Sequence, residues 1–271
     1  FNNVNSSLLV ARDPIGIKPL YFMNDNGSLI LSSEIKPIKS FKKLTPCRRS
    51  LHQLFSMGFI LDPYTGYVEV ESVKPGQILN INFKKNEVVI EKEDIPKTIK
   101  NNKISEKEII KNIKLQCISD VDYGVMFSGG VDSSILTLAT DKFTQNFFLD
   151  TKNEDNLYID KISKFLNIEY TTVPINFTEI SIKDLYDMVK KLECPISDFS
   201  FFATEKIAQK SQEKGVKVLL SGMGADEILG GYSRYKIFSF DKFFSFFGKI
   251  LPNFIQRYFL SDNTFERFNN F

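Results

Sequence analysis

The chain has 271 residues, 42% of them apolar and 25% charged, a globular composition with enough length for two domains or one large one. Thirty-five basic against thirty-three acidic residues leave a formal charge of +2, so no broad electrostatic field points to a nucleic-acid partner. Three scattered cysteines (Cys47, Cys117, Cys194) and a single histidine, His52, exclude a disulfide-dense scaffold and a multi-histidine metal site, leave Ser/His/Asp or Cys/His catalysis unsupported, and make a reducing, cytoplasmic compartment the expectation.

In chain order, residues 1–93 read as mostly β. Short apolar runs at 7–10 and 20–22 are separated by Asp13-Pro14-Ile15-Gly16, a turn signal in which Pro fixes φ and Gly permits unusual backbone angles. Asn24-Asp25-Asn26-Gly27 reads as a hairpin turn into residues 29–31. Pro75-Gly76 precedes an alternating run at 78–83, and Lys84-Lys85-Asn86 turns into 88–90, an antiparallel pattern with one polar and one buried face. Residues 91–107 are polar, charged and poor in apolar side chains. Within them 94–107 is expected to be a linker between a domain at 1–93 and a second at 108–271.

After the linker the pattern changes. Helical spacing at Ile109, Ile110, Ile113 and Leu115 is followed by the buried run 124–127, a loop, and a helix-like stretch at 135–139. Strands at 147–149, 170–173 and 216–220 then alternate with helices around 157–166 and 202–212. Such alternation predicts an α/β fold with a parallel sheet and right-handed crossovers, in which ligands sit at the carboxyl ends of the strands. No segment has the roughly 18 uninterrupted apolar residues of a membrane span. The nearest, 236–260, is Phe-rich but broken by Asp241, Lys242, Lys249 and Pro252. No signal peptide is visible, and the first residue, Phe1, reads as the start of a fragment or a processed chain.

Two loops fall at predicted strand ends. In Ser128-Gly129-Gly130-Val131-Asp132-Ser133-Ser134, two glycines let the backbone approach an anion, while the serine hydroxyls and the N–H groups of the following helix supply donors. An aspartate in such a loop fits if it holds a divalent cation against phosphate oxygens. The pattern is not that of a Walker-type loop. A bare Ser-Gly-Gly is more simply a capped turn; strand, full motif and helix together favour the anion loop. The second loop, Ser221-Gly222-Met223-Gly224-Ala225-Asp226-Glu227, follows the run ending at Leu220. Asp226 offers a second carboxylate, although acids in a first helical turn also have an ordinary electrostatic reason to be there.

SGGVDSS followed about ninety residues later by LLSGMGADEILGGYSRY resembles the glutamine-dependent asparagine synthetase family, within the wider ATP pyrophosphatase (PP-loop) group. ARDPIGIKPLYF (11–22), LSSEIKPI (31–38), residues 59–63 and residues 72–76 resemble the later part of that family's glutaminase domain. The resemblance implies a PP-loop nucleotide-binding domain preceded by an antiparallel, β-rich remnant of a glutaminase domain. It implies Ser128, Gly129, Gly130, Asp132 and Ser133 around the pyrophosphate portion of ATP and Mg²⁺ on Asp132 and Asp226. Ser221 and Gly222 would lie beside the nucleotide, with Met126 and Phe148 flanking the adenosine. The implied chemistry is activation of a carboxylate, aspartate in the family, as an acyl-adenylate, followed by attack of glutamine-derived ammonia. Expected partners are ATP, glutamine and aspartate or another carboxylate, with no nucleic acid and no membrane, a homodimer being left open.

The chain departs from the family pattern in three respects. The glutaminase nucleophile, a cysteine at the mature N-terminus, matches none of Cys47, Cys117 and Cys194, which read as ordinary buried or partly buried thiols. The helical C-terminal part with the catalytic lysine is also not matched. The expectation is a chain cut at both ends and inactive alone, with Phe238, Phe240, Phe243, Phe244, Phe246 and Phe247 as core lacking its usual neighbours and as a source of aggregation or dye binding. Met223 stands where many members carry Glu, and a thioether is neither acid, base nor cation ligand, so a non-aspartate acceptor is the alternative. A nucleotide-binding paralogue without turnover is the second reading. A PP-loop tRNA-modifying enzyme is the third; the charge balance and scattered cysteines argue against it.

Overall fold

The computed structural model describes residues 1–84, 87–95, 105–140, 144–151, 155–232 and 235. The six phenylalanines expected to lack their neighbours, and the Phe-rich stretch from 236 onward, lie outside the described residues.

The first half is built of two antiparallel sheets. One has the order β1 (Ser7–Ala11), β5 (Gln77–Lys84), β6 (Glu87–Asp94); the other is β3 (Ser28–Ser32), β2 (Tyr21–Asp25), β4 (Glu71–Ser72). The β2–β3 hairpin turns on Asn26 and Gly27, at φ 49° and 80°, the two-residue turn whose twist matches that of the flanking strands. Alternation along β2 divides the core. Phe22 joins Val73, Leu79, Ile81 and Val88 between the sheets. Tyr21 and Met23 face the other way, onto Ile35 and Ile38 of helix α1 (Ile35–Phe41). Helix α2 (Arg48–Met57) ends at Gly58, at φ 85°. The expectation of mostly β omitted both helices.

The second half is a parallel sheet: β7 (Tyr123–Met126), β8 (Gln145–Asp150), β9 (Thr171–Pro174) and β10 (Val218–Leu220), in the order β10-β7-β8-β9. Helices α4 (Val131–Ala139) and α5 (Asp155–Leu166) follow β7 and β8, while α6 (Ile182–Lys191) and α7 (Ser200–Glu213) lie in the connection from β9 to β10. Two cores result, one on each face. Phe147, Val173 and Val216 pack with Ile207 of α7, whereas Phe127 and Phe148 pack with Ile159 of α5.

The linker boundary moves at both ends. Asp94 is the last residue of β6, and α3 (Glu106–Gln116) starts two residues before the expected domain edge. Ser105 accepts from the Glu108 amide while the Glu108 carboxylate accepts from the Ser105 amide. This reciprocal cap starts a helix out of residues whose polarity had suggested a linker.

Candidate active site

Strand order locates the site. The chain runs outward from β7 through β8 to β9, then returns to the opposite side of β7 as β10, so the direction of winding reverses between β7 and β10. In open α/β sheets the crevice outside the carboxyl ends of the strands at such a reversal is where ligands bind. Both glycine loops emerge there, because Leu220 pairs with Val125 at the ends of the two strands.

The first loop closes on itself. The Ser133 hydroxyl accepts from the Ser128 amide at 3.2 Å, lies 3.0 Å from the Ser128 hydroxyl and donates to the Gly130 carbonyl at 3.1 Å. Gly129 stands at φ +76°, a conformation that favours glycine, and a Cβ added to it would crowd the Ile159 Cδ1 methyl at 3.0 Å. Gly130 caps α4, whose first-turn N–H groups have no partners within the helix.

The second loop rests on the first. A Cβ added at Gly222 would lie 3.1 Å from Asp132 Cβ and 3.3 Å from the Ser133 amide nitrogen. Gly222 therefore lets two segments about ninety residues apart approach closely over the first turn of α4. Ser221 turns its hydroxyl back to accept from the Met223 amide at 3.2 Å, and Met223 is 86% exposed.

Two expected placements change. Met126 packs with the Phe147 cluster, whereas Phe148, buried, packs with Phe127, Ile159 and Tyr170. Met126 pairs with Phe147 in register, so the next residue of β8 must face the other side of the sheet. Met126 and Phe148 thus do not flank one space; Phe148 backs the first loop from beneath, through Ile159. The Asp226 carboxylate lies against Gly231, where an added Cβ would fall 1.8 Å from Oδ1. Sequence reasoning also passed over Ser134 as a site residue; its Oγ is buried at the start of α4 without a hydrogen-bond partner among the described residues.

Among the described residues no group of three or more His, Cys, Asp and Glu is placed to hold a metal. Asp132 and Asp226 supply two carboxylates, which suits Mg²⁺ shared with phosphate oxygens and water rather than an all-protein cage. A cleft of about 940 Å³ opens at the amino ends of the strands, between Asn146, Asn167 and Thr171, away from both loops.

The motif 11–22 has an architectural role. Arg12, 11% exposed in its side chain, donates to the carbonyls of Lys18, Val73 and Gly16 at 2.9, 2.6 and 3.0 Å. The Asp13 carboxylate accepts from the amides of Ile15, Gly16, Ile17 and Lys18, which hold it below the usual carboxylate range, Lys18 foremost.

Comparison with protein families matches residues 106–267 to asparagine synthase and residues 1–92 to a glutamine amidotransferase domain. The chain belongs to the asparagine synthase family. Its relatives in that comparison include asparagine synthetase [glutamine-hydrolyzing] 1 of Bacillus subtilis, 28% identical over 255 residues, covering 87% of this chain and 39% of the relative. A Methanocaldococcus jannaschii protein named for the same activity is 28% identical over 251 residues, covering 86% of this chain and 48% of its own length. Amidase chyE of Penicillium rubens is 24% identical over 262 residues, covering 84% and 38%. The chain thus spans less than half the length of these relatives.

Proposed function

We propose that the chain supplies the nucleotide-binding and adjoining amidotransferase parts of a glutamine-dependent amide ligase of the asparagine synthetase type. ATP is a substrate, and its β- and γ-phosphates lie over Ser128, Gly129, Gly130, Asp132 and Ser133. Ser221 and Gly222 border the nucleotide, and Met126 contributes to the adenosine wall. Asp132 and Asp226 would hold Mg²⁺, which would supply positive charge against the pyrophosphate. A carboxylate, aspartate in the first instance, attacks the α-phosphorus, pyrophosphate leaves, and glutamine-derived ammonia displaces AMP from the acyl-adenylate. The chain's own contribution is electrostatic: loop amides, hydroxyls and a carboxylate-held cation offset charge on the departing pyrophosphate.

The observation that carries this reading is the contact of Gly222 with Asp132 and the Ser133 amide, which brings both loops to one point at the reversal of winding. Asp132→Ala is expected to weaken Mg²⁺-dependent ATP binding by about tenfold or more, and Asp226→Ala by less, measured by titration calorimetry with and without Mg²⁺. Unchanged binding in Asp132→Ala would overturn the assignment. A non-aspartate acceptor is the second reading, favoured by the exposed thioether of Met223 beside the loop. Glutamine-dependent release of AMP and pyrophosphate with aspartate, against a panel of other carboxylates, separates the two.

A further inference from the structure

Helix α1 starts against the usual rules. Its N-cap, Glu34, makes no side-chain capping bond, its first turn has no acid, and Lys36 puts a cation where the helix dipole disfavours one. The missing acceptor comes from the parallel-sheet half. Glu193, in the turn between α6 and α7, accepts with one carboxylate oxygen from the amides of Ile35 and Lys36, and its other oxygen lies 2.9 Å from Lys36 Nζ. That ion pair raises the Lys36 pKa. The Glu193 side chain is only 17% exposed, a setting in which charge-assisted bonds are about twice as strong as neutral ones.

The contact has further points. Lys36 Nζ donates to the Lys191 carbonyl at 3.1 Å, and the Ser197 amide donates to the Gly58 carbonyl at 2.8 Å. Gly58 stands at φ +85°, a conformation that favours glycine, and an added Cβ would lie 2.6 Å from Ser197 Oγ and make that hydroxyl turn away. Cys194 packs on the Tyr21, Met23, Ile35 and Ile38 cluster. Residues 191–197 are therefore fixed to the antiparallel half by charge, by backbone and by apolar contact, and they lead directly into α7, which packs on β8 and β9.

We infer that Glu193 is a positioning residue that holds the parallel-sheet half in register on the antiparallel half, so that glutamine hydrolysis and carboxylate amidation run in step. The stepping role rests on the amide-ligase reading; the mechanical role does not. Neither half has to unfold when the contact is lost, because each keeps its own buried cores.

The test uses the protein expressed from its native reading frame, with Glu193→Ala and the milder Glu193→Gln. Hydrogen exchange in peptides spanning 33–41 and 192–198 is expected to rise about tenfold in Glu193→Ala, while peptides from β5 and β8 keep the parent rate. Amide formed per glutamine hydrolysed is expected to fall severalfold, with glutamine hydrolysis and ammonia-driven amidation each at parent levels, and Glu193→Gln is expected to lie between. Unchanged exchange in both peptides, a rise spreading through β5 and β8, or an unchanged product ratio would overturn the inference. A parent protein that neither hydrolyses glutamine nor forms amide would end the ligase reading and the stepping role together, and the exchange pattern alone would then decide whether Glu193 holds the two halves.

Discussion

At the scale of single residues, the decisive positions are those where a side chain would be in the way. Gly222→Ala puts a methyl group 3.1 Å from Asp132 Cβ and 3.3 Å from the Ser133 amide, so one of the two loops must shift by a few tenths of an ångström. ATP binding is expected to drop by about tenfold while melting temperature changes by only a few degrees, measured by calorimetry and thermal scanning. Asp13 gives a pH dependence whose sign is fixed. Its folded pKa is lowered from 3.8 by four loop amides. The loop's contribution is therefore complete above that value and lost as pH falls below it, through the folded pKa. Acid titration of Asp13→Asn is expected to be flatter than that of the parent below about pH 4, where the parent loses this contribution. The turn at Gly129 was legible in the sequence because a left-handed backbone restricts residue type. The side on which Phe148 falls was not, since one position of register along β8 decides it.

At the scale of elements, periodicity found the alternating run at 78–83 and the strand–helix repeat but passed over α1, α2 and α6. Helix α1 spans only Ile35–Phe41 and carries Pro37, so its pattern is too short to stand out. Helix α6 had a signal that went unused. Ser181 accepts from the Asp184 amide and the Asp184 carboxylate accepts from the Ser181 amide, the same reciprocal cap that starts α3. At α3 the cap is testable. Ser105→Ala removes an acceptor for the Glu108 amide and is expected to cost about 1 kcal/mol, read as an earlier denaturant midpoint with an unchanged slope. A shift confined to residues 105–116 in hydrogen exchange would instead mark local fraying.

At the scale of the whole molecule, the fold class was readable because alternating strands and helices leave few topologies, all with right-handed crossovers. The strand order was not readable, because nothing local says on which side of β7 the last strand will land. That order has a further consequence. Val218 pairs with Tyr123, about ninety-five positions earlier, so the final strand is the one that brings the second loop to the first. During synthesis a nascent chain can fold the hairpins, β7 and the Ser-Gly-Gly turn and still have only one wall of its crevice. If the proposed nucleotide site is right, affinity for ATP should arrive late and abruptly, once residue 222 clears the ribosome, rather than growing with chain length.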